Sequence, residues 1–72
     1  MSAHQQALAL ALRHHEAGRL PEAEAIYQQI LQNDPDHSDA LHLLGLIAHQ
    51  AGKHEEAVNL ISKALEIQPD LA

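Results

Sequence analysis

The sequence predicts an all-α fold: two helix-turn-helix hairpins stacked as a short right-handed solenoid, four helices with no capping helix. Three observations lead there. Shifting the chain by 34 residues superposes His4–His37 on Ser38–Leu71 with ten identical positions, where composition alone gives about three or four. Apolar residues recur at helical spacing in four stretches. Gly and Pro fall between those stretches, at matching places in both units.

The first helix is expected over 3–17, with Ala7, Leu10, Ala11 and His14 as its inward stripe. His14 is expected half-buried in the seam. Ala17-Gly18 ends the helix, because Gly enters the left-handed conformation without a Cβ penalty. The second helix, 21–33, opens on Pro21, which a first turn tolerates. Glu22 and Glu24 favour its positive N-terminal end. Ala23, Ile26, Tyr27, Ile30 and Leu31 form its stripe, and Pro35 marks the exit. Asp36 and Asp39 are the expected caps of the third helix. That helix, 38–51, carries Leu41, Leu44, Gly45 and Ala48, and Gly52 stops it. The fourth, 55–68, carries Ala57, Leu60, Ile61, Ala64 and Leu65, and Pro69 closes it.

Small residues recur where two helices of a hairpin must approach: Ala11 and Gly45 share one repeat position, Ala23 and Ala57 another. The chain therefore reads as a single domain, 1–72, made of repeat one (4–37) and repeat two (38–71). Each unit carries the same charge, two basic and five acidic residues. Arrays of this kind usually need about three or more units for stability, so two units are expected to draw stability from another chain, a bound partner or further repeats.

Composition excludes several functions. There is no Cys, and so no disulfide or thiolate metal site. Four basic residues against ten acidic give a net charge of −6, too few cations to neutralise nucleic-acid phosphates. No run approaches the ~20 apolar residues of a membrane span. The three Gly are isolated, so no phosphate-cradling loop exists. No enzyme activity and no cofactor are expected, and the expected setting is cytoplasmic. Seven His residues invite a metal reading, but no two lie three or four apart, the spacing that places two imidazoles on one helical face. His42 and His49, seven apart, stand about 10 Å apart along an axis. No metal site is expected. As a residue type titrating near pH 6.5, the seven His would together move the formal charge from −6 to +1, and weaker solubility or altered association is expected at about pH 5 to 6.

The residues Leu41, Leu44-Gly45, Ala48, Gly52, Ala57, Ile61, Ala64-Leu65 and Pro69 resemble the tetratricopeptide repeat. Ala7, Leu10-Ala11, His14, Gly18, Ala23, Tyr27, Ile30-Leu31 and Pro35 are a more divergent copy. His14, Leu41 and His54 stand where the family usually has aromatics. The runs from Ala17 to Glu24 and from Ala40 to Gly45 are similar to leading repeats of large bacterial proteins, some fused to domains related to O-linked N-acetylglucosamine transferases. The asparagine ladder of that group is missing, with Ala9 and Leu43 at its positions.

The resemblance implies that the first helix of each hairpin lines a concave groove. By position its lining would be Gln5, Leu8, Leu12, His15 and Glu16, then Asp39, His42, Leu46, His49 and Gln50. Leu8, Leu12 and Leu46 exceed what the hairpin seams need, and apolar residues rimmed by polar ones suit a peptide groove. Packing against a neighbouring repeat or chain is the alternative use of these Leu. Family members that bind acidic chaperone C-termini use a clamp of Lys, Asn and Arg. Here Leu8, Leu12 and Leu43 stand at clamp positions. With Glu16 and Asp39 in the lining, a basic or neutral amphipathic protein segment is the better partner.

The expected function is thus a non-catalytic protein-interaction module binding a peptide or helix. The alternative is structural: a homo-oligomer, most simply a two-fold dimer, or a piece of a longer array. Val58, Leu60, Ile61 and Leu65 are expected to lack cover, since the chain stops at Pro69-Asp70-Leu71-Ala72 without a capping helix.

Overall fold

A computed structural model describes residues 3–69. Four helices follow in order: α1 (Ala3–Glu16), α2 (Leu20–Asn33), α3 (Ser38–Gln50) and α4 (His54–Ile67). Each expected bound lies within one residue of the observed one, and no strand occurs among the described residues. The match of Asp70 to Asp36 and the expected end of repeat two at Leu71 lie outside the described residues.

The helix ends follow from local chemistry. Gly18 and Gly52 adopt φ of +80° and +82°. The Gly18 N–H donates to the His15 carbonyl at 3.1 Å and Arg19 N–H to that of His14 at 2.8 Å. Gly52 and Lys53 repeat the pair of bonds onto His49 and Ala48 at 3.0 and 2.8 Å. Two carbonyls at each helix end are thereby satisfied, which needs a left-handed residue at this position. Arg13, His14 and His15 in the last turn of α1 also suit its negative end. Pro21 lies in the first turn of α2, where its missing N–H costs nothing. Glu55 and Glu56 occupy the first turn of α4.

Packing follows the hairpins. α1 lies chiefly on α2 and α3 on α4, with a lighter α2–α3 contact joining the two. One cluster of buried residues, Ala11, Ala23, Tyr27, Ile30, Ala40, Leu44 and Ile47, spans that junction. Across the ends of the second hairpin, the Ser38 hydroxyl donates to Gln68 Oε1 at 2.6 Å. The radius of gyration is 11.3 Å, matching the roughly 11 Å of a compact chain of this length.

Three expectations are corrected. Leu10 was assigned to the seam but is 48% exposed, whereas Leu44, its counterpart, is 7% exposed. The α2 helix covers that side of α3, and among the described residues no helix covers it in α1. The cap of α3 is not Asp36 or Asp39: His37 is the N-cap, and its Nδ1 accepts from Ala40 N–H at 3.1 Å. Of the four residues expected to lack cover, Val58 and Leu65 are exposed, but Leu60 and Ile61 are half-buried. Leu60 packs against the core cluster.

Candidate functional site

The expected lining lies on one face of α1 and the matching face of α3. Gln5, Leu8, Leu12 and His15 are spaced so that they share a side of α1, and Asp39, His42, Leu46 and His49 repeat that spacing on α3. The two helices begin side by side: the His4 ring meets the His37 ring edge-on with centroids 5.7 Å apart. Leu8 and Leu43 both pack against the shared core.

Burial separates two kinds of lining residue. Leu8, Leu12, His15, His42 and Leu46 are half-buried, while Gln5, Glu16, Asp39, His49 and Gln50 are exposed. The half-buried residues are apolar or imidazole, and the exposed ones are all polar. The His42 Nδ1 is buried without a hydrogen-bond partner among the described residues. Only Nε2 of that ring is left to meet a ligand. Beyond the lining, two shallow depressions lie at the start of α4, where His54, Glu55, Val58 and Asn59 line the first. Gly52 and Lys53 border the second.

The histidines are less solvated than their polarity implies. Only His49 and His54 are exposed, and the other five are half-buried. The His49 and His54 rings meet across the α3–α4 turn with centroids 5.1 Å apart. These ring pairs escape a search for helical spacing, since residues 4 and 37 meet only through tertiary packing. No group of three or more His, Cys, Asp or Glu that could hold a metal occurs among the described residues. No helix of the described residues is long and apolar enough to cross a membrane.

A family model described as tetratricopeptide repeat matches residues 8–72. The chain belongs to the tetratricopeptide repeat family. Such repeats generally mediate protein–protein interaction and are generally non-catalytic. The chain is 36% identical over 67 residues to human tetratricopeptide repeat protein 7B, covering 93% of this chain and 8% of that protein. It is 38% identical over 53 residues to human DnaJ homolog subfamily C member 7, covering 74% of this chain and 11% of that protein. It is 42% identical over 53 residues to cellulose synthase operon protein C of Komagataeibacter xylinus, covering 74% of this chain and 4% of that protein. The chain thus spans a small part of the length of the curated relatives it matches.

Proposed function

We propose that this tetratricopeptide repeat chain binds a helical or extended segment of a protein partner along the α1–α3 face, without catalysing a reaction. The observation that carries the reading is the pair Leu12 and Leu46. They are 34 residues apart, both half-buried, and each is bordered by exposed polar residues. A repeated apolar residue on two adjacent helices offers two anchor points to one ligand segment. Glu16, Asp39 and the net charge of −6 favour a basic or neutral amphipathic segment over an acidic one. His42 Nε2 supplies a polar contact.

Titration of the isotope-labelled chain with two amphipathic peptides tests this, one with Lys and one with Glu on its polar face. The Lys peptide is expected to shift the amide signals of Leu8, Leu12, Leu46 and His49, and Leu46→Asp to abolish the shifts. Preference for the Glu peptide, or shifts confined to α2 and α4, overturns the reading.

A further inference from the structure

The two hairpins differ at their internal turns. In the second, His49 lies in the last turn of α3 and His54 opens α4. Their rings stand with centroids 5.1 Å apart and an interplanar angle of 65°. In the first hairpin the same positions hold His15 and Leu20, so the repeat itself does not require the pair. The turn holds the two residues in place. Gly52 N–H donates to the His49 carbonyl at 3.0 Å, and Lys53 N–H, next to His54, donates to the Ala48 carbonyl at 2.8 Å.

The spacing rule for helical metal pairs applies within one helix, and these two residues stand on different helices. Two imidazoles on one Zn²⁺, each nitrogen at ~2.0 Å and the two at a tetrahedral angle, have centroids about 5 Å apart. The observed separation matches that distance. Both rings are exposed, so each can rotate about its broad terminal torsion to turn a nitrogen toward a shared ion. His54 and Glu55 also line both shallow depressions at the start of α4, which leaves room for an ion with its waters. Lys53 opposes a cation there, while Glu55, Glu56 and the net charge of −6 favour one. The His4–His37 pair is less suited. Its centroids are 5.7 Å apart, both rings are half-buried, and His37 Nδ1 already accepts from Ala40 N–H.

We propose that His49 and His54 chelate a divalent transition-metal ion of the Zn²⁺ type across the α3–α4 turn. The two neutral imidazoles displace two waters from the hydrated ion, as suits a metal that takes nitrogen ligands. No group of three or more His, Cys, Asp or Glu able to hold a metal occurs among the described residues, so water keeps the remaining positions. Such an open site binds more weakly than a closed structural one. His49 also belongs to the α1–α3 lining, but the test needs no peptide, so this inference stands or falls separately from the peptide-binding reading.

Zn²⁺ titration of the full chain, followed on the imidazole nitrogens by long-range ¹H–¹⁵N spectra, tests it. The His49 and His54 rings are expected to shift together and to saturate at one ion per chain. The expected Kd lies between about 1 and 200 μM, since two ligands supply about half the binding free energy of a four-ligand site. His49→Gln and His54→Leu are each expected to weaken binding at least about tenfold, with helicity unchanged by circular dichroism. His54→Leu installs the residue of the first hairpin. His15→Gln is expected to leave binding unchanged. No imidazole shift up to about 1 mM Zn²⁺ overturns the proposal. Shifts confined to one of the two rings, affinity that survives either substitution, or a stronger site at His4 and His37 also overturn it, and would mean an adventitious ion only.

Discussion

Gly45 and Ile61 set the spacing of the second hairpin: a Cβ placed on Gly45 would lie 2.6 Å from Ile61 Cγ1. The first hairpin holds Ala11 and Tyr27 at these positions, and both are fully buried. Two effects compete in Gly45→Ala. Removing Gly from a helix interior gains about 1 kcal/mol. Displacing the Ile61 side chain costs about 0.5–1.5 kcal/mol, as for an off-rotamer side chain. Ile61 is half-buried and can yield toward the open side of α4. Gly45→Ala is therefore expected within about 1 kcal/mol of the wild type, because these two terms are of similar size. Gly45→Val is expected to cost about 2 kcal/mol, as overpacking does. Urea denaturation checks both, and a Gly45→Val variant as stable as the wild type would show that the helices do not approach this closely.

Gly18 and Gly52 need Gly for a different reason. A Cβ at either would meet nothing within 4 Å, but their φ of +80° and +82° penalise any L side chain. Gly52→Ala is expected to cost about 1 kcal/mol through the backbone alone, and Gly52→Asn less, since Asn tolerates this conformation. Thermal unfolding should rank the two as Ala below Asn. Equal losses for Ala and Asn would mean that a contact, rather than the backbone conformation, fixes the position.

The sequence makes legible what depends on neighbours in the chain. Gly18, Pro21, Pro35 and Gly52 mark helix ends because their backbone constraints act locally. Ala11 and Gly45 reveal the close approach because small residues at one repeat position imply a contact. Leu10 was misplaced because periodicity names a face and not its occupant. Leu10 and Leu44 share one repeat position, yet only Leu44 has a helix over it. The cap of α3 escapes the sequence for a related reason: Asp36 is a better capping residue by type, but α3 begins at Ser38, so His37 stands at the N-cap position and its Nδ1 meets the Ala40 N–H. For the candidate site, the equivalence of Leu12 and Leu46 follows from the 34-residue repeat. The unpartnered His42 Nδ1 and the His4–His37 contact arise from tertiary packing, which spacing does not encode.

His37 joins two roles, capping α3 through Nδ1 and meeting the His4 ring. His37→Ala is expected to cost about 1 kcal/mol, the usual loss of a cap. His37→Asp restores a capping oxygen without the ring, so it is expected to recover most of that loss. Should His37→Asp prove as unstable as His37→Ala in chemical denaturation, the ring contact with His4 would be the stabilising element instead of the cap.

Tyr27 is fully buried and its hydroxyl finds no hydrogen-bond partner among the described residues. Burial without a partner raises its pKa above the ordinary value of about 10, because the phenolate would lose its hydration. The sign follows from which state binds the proton more tightly. Below about pH 10, the unfolded-state value, both states hold the proton and Tyr27 makes no pH-dependent difference. Above it the unfolded chain releases the proton while the folded chain retains it, so stability falls as pH rises through the raised value. Tyr27→Phe keeps the ring and removes the orphaned hydroxyl. It is expected to be at least as stable at neutral pH, by up to about 1 kcal/mol, or a Tm gain of a few degrees, about 4–8 °C per kcal/mol at this size. Its advantage should widen above about pH 10. Thermal unfolding of both proteins from neutral to alkaline pH measures the effect. Tyr27 is also the single Tyr in a chain without Trp, so phenolate absorbance reports this residue alone. If the phenol of the folded wild type ionises at its ordinary value, or the two Tm curves stay parallel at alkaline pH, the hydroxyl has a partner or water that the buried geometry does not provide.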